Sequence, residues 1–264
     1  MPILSLDDYI ASSKQVISLT KTSTRTSVAS IGFAVHDLAG MPGAGVLAAT
    51  DKVAGIVPTD ADTNYPSINS FASGAKGYIA RVSYNSSVAC RLAVYDRLFI
   101  AGPFNFNDSV TLASQPSYAS RLANGSYSGL QLWVEQVTAS TGTPSINIGY
   151  TNETNVSGRS TGTVAMPGTM IVGRCQQLPL AGGDNGVRQI NTITATVATA
   201  GTFNIMVLRP LWEGRISVAG QGDTHDLLRT GLTEVFETSA FYAMVNADST
   251  STGIPSIQIE VANK

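Results

Sequence analysis

The sequence predicts an all-β protein: two tandem β-sandwich domains, jelly-roll-like and related by internal duplication, with a short N-terminal helix and arm. Three observations predict it. Runs of alternating apolar and polar residues, rich in Val, Ile and Thr, recur along the 264 residues. Gly, Pro, Asn, Asp and Ser separate them at intervals of roughly 8–12 residues, the rhythm of a sandwich or barrel. A thirteen-residue phrase is also written twice, as Ser140–Asn152 (STGTPSINIGYTN) and Ser251–Asn263 (STGIPSIQIEVAN), identical at eight positions and 111 residues apart. Finally, the N-terminal stretch SLDDYIASSKQ, residues 5–15, breaks the period-two rhythm and reads as a short helix.

The duplication extends outward from the repeated phrase. Leu132–Asn152 aligns without gaps on Ala243–Asn263. In the first copy Leu132 and Val134 alternate with Trp133 and Glu135, and Ile146 and Ile148 alternate with Ser145, Asn147 and Gly149, which is the strand signal. The Ser-Thr-Gly-x-Pro run between them is turn chemistry, since Gly permits positive φ and Pro fixes φ without offering a donor. Upstream, Cys90–Phe99 (CRLAVYDRLF) matches Phe203–Trp212 (FNIMVLRPLW) at an offset of 113, setting Leu92 on Ile205, Val94 on Val207, Leu98 on Leu211 and Phe99 on Trp212. Gly77–Ala89 and Val187–Gly201 complete the pair. Each copy thus covers about 76 residues, near 77–152 and 188–263. The organisation expected is an arm over 1–45, a first sandwich over 46–160 and a second over 161–264. A jelly roll is the preferred form, and an immunoglobulin-like sandwich has the same strand pattern. Cys90 falls where the other copy has Phe203, so it reads as a small buried hydrophobe. Two cysteines make no disulfide framework, and Cys175 is read as a second buried thiol.

At the N-terminus, Ser5 occupies an N-cap position with Asp7 and Asp8 in the first turn, where the helix dipole favours anions. Leu6, Tyr9 and Ile10 then share one side at i, i+3, i+4 spacing. So short a helix is marginal alone and must dock, either on its own domain or as an arm on a neighbouring subunit. Gly40–Gly45 (GMPGAG) marks a loop or crossing segment, and a second helical stretch is expected near Asp226–Arg229.

Charge and motif content narrow the function. Charged residues are 13% of the chain, the net charge is −2 and the pI is about 5.6, which argues against a duplex-binding domain, whose pI usually exceeds about 9. The start lacks the cationic and apolar regions of a secretory signal, and no apolar run reaches the roughly 18 residues of a membrane helix. Without an export signal, the N-x-S/T triplets at Asn85, Asn107, Asn124, Asn152 and Asn155 are composition, not glycan sites. His36 and His225, the two histidines, both occur as His-Asp-Leu but at non-equivalent repeat positions, with no second ligand at metal-binding spacing. No G-x-S-x-G, phosphate loop or dinucleotide fingerprint is present. Glu135 and Glu260 lie on strands of different copies and read as solvent-facing rather than as an acid–base pair. Trp133, Trp212, Tyr78 and Tyr95 follow strand faces and read as packing. Eleven of the 16 cations are Arg, the cation better suited to interface ion pairs. The sequence therefore predicts no enzyme, no catalytic or metal-binding residue and no cofactor.

Three phrases, SLDDYIASSKQ, DLAGMPGAG and LRPLW followed by GDTHDLLRTGL, resemble a group of structural virion proteins of tailed bacteriophages. The resemblance implies a virion component without enzymatic activity and carries over no functional residue. The function expected is that of a capsid decoration or cement-type accessory protein binding by surface assembly. A tail, collar or fibre component and a carbohydrate-binding adhesin module are the alternatives. The partners expected are further copies of the chain and other virion proteins such as the major capsid protein, with no nucleic acid and no membrane. A homotrimer of two-domain chains would offer six quasi-equivalent units to a threefold or pseudo-sixfold position. The place expected is the virion, after synthesis in the host bacterial cytoplasm.

Overall fold

A computed structural model describes residues 3–167, 170–197 and 200–264. The chain runs through α1 (Leu6–Ala11), β1 (Ser13–Lys21), β2 (Gly32–Ala34), β3 (Gly40–Met41), β4 (Gly77–Ser86), β5 (Cys90–Asn105), β6 (Ser109–Thr111), β7 (Gln131–Thr138) and β8 (Ser145–Asn152). It continues through β9 (Arg159–Ser160), β10 (Val164–Ala165), β11 (Arg174–Gln177), β12 (Val187–Ala195), β13 (Thr202–Ile216), β14 (Gly222–His225), α2 (Leu227–Thr230), β15 (Glu234–Val235), β16 (Phe241–Ala247) and β17 (Pro255–Asn263). The protein is all-β apart from a few short helical turns, and the N-terminal helix begins at the expected cap.

Two compact units form, and each is discontinuous in sequence. The first comprises Met1–Gly45, Thr59–Asp96 and Leu211–Lys264; the second comprises Val46–Pro58 and Arg97–Pro210. Where the sequence reading divides the chain at residue 160, the compact units instead draw on both copies of the repeat.

In the first unit one sheet runs β14-β4-β17-β1-β3, with β15 also on β4. Strand β16, paired with β2 and with β5, faces it. Ile17, Leu19, Ile79, Val82, Ile257 and Ile259 from the first layer close on Leu92, Val94, Leu211, Trp212, Ala243 and Val245. In the second unit the corresponding sheet runs β10-β8-β12-β6, with β9 on β8. Strand β7, paired with β11 and β13, faces it. Ile146, Ile148, Tyr150, Ile190 and Ile193 close on Phe104, Phe106, Leu132, Val134, Phe203, Ile205 and Val207. Each unit therefore has the two facing sheets that a jelly roll and an immunoglobulin-like sandwich share.

The strand registers show how the copies combine. The first unit pairs β4, the opening strand of one copy, with β17, the closing strand of the other: Ile79 lies opposite Val261, Val82 opposite Ile259 and Tyr84 opposite Ile257. The second unit makes the reciprocal pair, β12 with β8: Ile190 opposite Tyr150, Ile193 opposite Ile148 and Ala195 opposite Ile146. Adding 111 to the residue numbers of β4 and β8 converts one set of partners into the other. Even the irregularity is shared: one residue is skipped between Ile79 and Arg81 in the first ladder, and one between Ile190 and Thr192 in the second. Such an inserted residue bends the strand and pins its register. The inner pairs agree as well, with Leu92 opposite Val245 and Val94 opposite Ala243 in one unit, and Ile205 opposite Val134 and Val207 opposite Leu132 in the other. The duplication is thus real at the level of pairing, and the copies exchange halves. Alternation decides which face a residue occupies but not which strand lies beside it.

Equivalence reaches elements that share no sequence. Strand β1 flanks β17, and the short β9 and β10 flank β8 in the matching place. Strand β14 flanks β4 as β6 flanks β12, which sets Asp223-Thr224-His225 on Asp108-Ser109-Val110.

Ile148 and Ile259 occupy the same position in the two cores, both fully buried. Ile148→Ala and Ile259→Ala should each lower the unfolding free energy by about 2–5 kcal/mol. Chemical denaturation of the two variants checks this, and the two losses are expected to be of similar size.

Candidate interaction surface

The face of the first unit's sheet turned away from its core carries both helices. Ser5 caps α1, its hydroxyl accepting from the Asp8 amide at 3.1 Å. The Asp8 carboxylate in turn accepts from the Leu4 amide at 3.0 Å and pairs with Lys264. The Lys264 bond, with help from Leu4 and Ser5, holds the Asp8 carboxyl down at about 2. At the other end, Lys14 Nζ donates to the carbonyls of Tyr9 (2.7 Å), Ser12 (3.2 Å) and Ile10 (3.3 Å), satisfying groups a helix terminus leaves open. Tyr9 anchors the middle: its hydroxyl donates to Glu260 Oε1 at 2.5 Å, while Arg81 holds Glu260 Oε2 at 2.9 Å. Ile3, Ala80 and Ala262 form a small buried cluster there, with Tyr9, Tyr78, Leu227 and Leu232 packed on it.

This anchoring splits the three residues of the expected docking arm. Tyr9 turns down onto its own sheet, whereas Leu6 and Ile10 are each 64% exposed. Around them Leu4 is 82%, Val16 59% and Leu228, on α2, 91% exposed. Val16 lies directly across the ladder from Glu260, the residue that holds Tyr9. Leu228 follows Leu227, which packs with Tyr9 on the same cluster. Single exposed apolar residues are ordinary; here two of them, Leu6 and Ile10, sit one helical turn apart on a helix pinned to its sheet.

The other singled-out residues have structural roles. Glu135 and Glu260, read as solvent-facing, are both buried. Glu135 accepts from Asn204 Nδ2 at 2.9 Å and from Arg97 at 3.4 Å, under a cover formed by Leu47 and Ala49, which also bond Asn204. That cover comes from residues distant in sequence, so strand alternation alone could not reveal it. Arg121, also buried, donates to the carbonyls of Pro58 and Arg97. Cys90 and Cys175 are buried thiols outside any disulfide, Cys175 Sγ donating to the Gly173 carbonyl at 3.5 Å, and burial pushes the Cys90 thiol up. Trp212 lies in the first unit's core, and the half-buried Trp133 donates to Gln131 at 2.9 Å. Arg81, Arg91, Arg215 and Arg229 pair with Glu260, Glu213, Asp248 and Asp223 of their own unit. The arginine excess thus serves contacts within the unit as well. His36 stacks near Tyr65, and His225 bonds Trp212 and Tyr84. Among the described residues, no three His, Cys, Asp or Glu side chains are grouped to hold a metal ion. Among them too, no helix is long and apolar enough to cross a membrane.

One cluster has no sequence signal. In the second unit Asp184 accepts from Tyr150 Oη (2.6 Å), Arg159 Nε (2.8 Å) and Asn152 Nδ2 (2.9 Å), tying three separate segments together. These bonds, Arg159 first, hold its carboxyl down at about 2, and burial first, then Asp184, pushes the Tyr150 hydroxyl up to about 12.

No family model matches the sequence, and no curated protein matches it. Among solved structures the chain is similar to the unassembled KI polyomavirus VP1 pentamer, at 13% identity over 95% of this chain and 93% of that one, with a TM-score of 0.21. It is similar to a mutant unassembled Washington University polyomavirus VP1 pentamer at 10% identity, over 99% and 94% of the two chains, with a TM-score of 0.24. The Gx strain structure of infectious bursal disease virus gives 10% identity, 96% and 80% coverage and a TM-score of 0.19. Likenesses this slight assign neither fold nor function.

Two stability predictions follow from the buried charges. Glu135→Ala should cost about 3–5 kcal/mol in denaturant unfolding, because it leaves Arg97 buried without its carboxylate. The Asp184 carboxyl is lowered in the folded state, so its stabilisation is complete above its ordinary value near 3.8 and is lost as pH falls through about 2. Wild type and Asp184→Asn should therefore differ by a constant margin from neutral pH down to about pH 5 and converge toward pH 2 in acid-unfolding curves.

Proposed function

We propose that the chain is a structural component of a tailed-phage virion, an accessory protein of the decoration or cement type on the capsid exterior. It acts by surface assembly, with copies of itself and with the major capsid protein as partners. The carrying observation is the pinned α1 helix, which holds Leu6 and Ile10 outward in a unit that also exposes Leu4, Val16 and Leu228. The phrases shared with tailed-phage virion proteins supply the setting.

Magnitudes favour an array over an isolated pair. Burying a fully exposed Leu, Ile or Val side chain is worth about 1.5–3 kcal/mol, so five that start 59–91% exposed supply less than about 15 kcal/mol together. Bringing two proteins together costs an estimated 4–15 kcal/mol. One such contact is marginal; several made at once on a repeating shell are not, because each later contact is intramolecular.

Leu6→Ser with Ile10→Ser is the test. Both side chains are mostly exposed, so thermal stability should move by no more than about 0.5 kcal/mol per site. Purified virions should contain the wild-type chain but be depleted of the variant, and sedimentation at high protein concentration should show weak wild-type self-association that the double variant lacks. A wild-type protein that is monomeric at every concentration and missing from virions would overturn the reading.

A further inference from the structure

The first unit contains a polar chain, buried at Trp212, His225 and Tyr84 and reaching the surface at Asp223, that its counterpart lacks. Trp212 on β13 donates from Nε1 to His225 Nδ1 at 3.0 Å, and His225 Nε2 lies 3.0 Å from Tyr84 Oη. Tyr84 Oη lies 3.3 Å from Asp223 Oδ2, which also accepts from Arg229 at 3.1 Å. Indole N–H is only a donor, so Nδ1 must be an acceptor and carry no proton. The single proton of the neutral ring then sits on Nε2 and is donated to Tyr84, leaving the Tyr84 hydroxyl proton for Asp223. Every donor has one acceptor, from Trp212 to the carboxylate. Residue 214 must be glycine for the rings to fit, since a Cβ there would stand 2.4 Å from Trp212 and 2.6 Å from Tyr84.

The two copies of the repeat provide an internal comparison. His225, Tyr84 and Trp212 fall on Val110, Ala195 and Phe99 of the second unit. Three apolar residues fill those places there, so the sandwich does not need the polar chain. The rings pack edge-on in the core, but the imidazole carries a desolvation cost that the apolar counterpart avoids, which calls for another role.

We propose that His225 is an acid sensor whose protonation releases β14 and α2 from the first unit's sheet. A second ring proton would sit on Nδ1 and point at the Trp212 N–H across 3.0 Å, two donors face to face. That bond must break. The charged groups around the ring are Asp223 on β14, Arg229 on α2 and Asp226 at the α2 cap; Tyr84 and Trp212 complete its surroundings. The two carboxylates favour protonation; burial, the largest effect, and Arg229 oppose it, so the ring titrates below its ordinary value. The segment that moves is small: β14 has four residues and α2 has four. With the folded ring reluctant to accept a proton, stability is complete above pH about 6.5 and falls as pH drops below it, levelling off once the folded ring is itself protonated.

The chain holds two Trp residues, so Trp133→Phe leaves Trp212 as the only indole. In that background Trp212 emission should change in a one-proton step below pH about 6.5. Hydrogen exchange at the β14 amides should accelerate at least tenfold over the same step. His225→Val, the residue of the second unit, should abolish both changes. Should that variant fail to fold, ring ¹⁵N shifts of the wild type decide: His225 must be the Nε2–H tautomer at neutral pH, and its titration must track β14 exchange. A ring that titrates while β14 protection stays constant, or an emission step that survives in His225→Val, overturns the proposal. Because Leu228 lies on α2, release would also remove part of the assembly surface, a consequence that rests on the function proposed above. Sedimentation across the same pH range separates the two: an intact switch with unchanged assembly counts against the function, and a missing switch counts against the sensor alone.

Discussion

The ladder joining β4 to β17, and its counterpart joining β12 to β8, is the constraint on which the molecule rests. Each ladder closes a sheet with the opening strand of one copy and the final strand of the other. Neither copy can complete a core by itself, because its first and last strands serve different units. The apolar residues that alternate along the four strands are therefore placed by a pairing between residues more than 100 positions apart in one ladder and about 40 in the other. A one-residue slip would turn Ile257 and Ile259, or Ile146 and Ile148, out of their cores, and the shared bulge makes such a slip geometrically costly.

Local chemistry made the elements legible. The Ser5 cap, the paired aspartates, the Ser-Thr-Gly-x-Pro turns and the period-two runs all read correctly because each depends on residues near in sequence. The repeated phrase was legible for the same reason. The exchange of halves was not, since Ile148 has the same alternation whether its neighbour is β4 or β12. The β9–β10 edge was missed because an edge strand has only one partner and needs little specific sequence; its likeness to β1 lies in position alone. Glu135 was misread because its burial depends on Leu47 and Ala49 laid over Asn204, a cover no strand pattern encodes. Of the arm residues, spacing placed Leu6, Tyr9 and Ile10 on one side, but only Glu260 determines that Tyr9 is held down while the other two are left in water.

Once the copies are superposed by register, their differences become informative. Apolar positions in the ladders persist as apolar, whereas the buried polar clusters do not correspond. The second unit buries Arg97 and Glu135 with Asn204; the register equivalents of Asn204 and Glu135 in the first unit are Arg91 and Asn246, and Arg91 pairs with the exposed Glu213 at 3.3 Å. The first unit buries His225 with Tyr84 and Trp212 where the second is apolar. Buried charge and buried imidazole carry desolvation costs that a well-packed hydrocarbon core avoids. Each cluster occurs in one unit and joins residues of both copies, so it answers to something local to that unit rather than to the repeated sequence.

The surface around α1 follows the same logic in reverse. A six-residue helix has too few internal hydrogen bonds to persist alone, since nucleation is unfavourable and the first and last turns are mostly unsatisfied. Here Ser5, Asp8, Lys14, Lys264 and Tyr9 satisfy those ends and bind them to the sheet. All of that polar bonding is spent on fixing a helix whose outward face is Leu6 and Ile10. Were the helix only a cover for the sheet's outer face, polar residues in those two places would serve as well and would keep the surface wet. Rigid presentation of apolar side chains lowers the ordering cost of any later contact, and under the proposed function that reduction, more than the area itself, is what so small a patch would contribute.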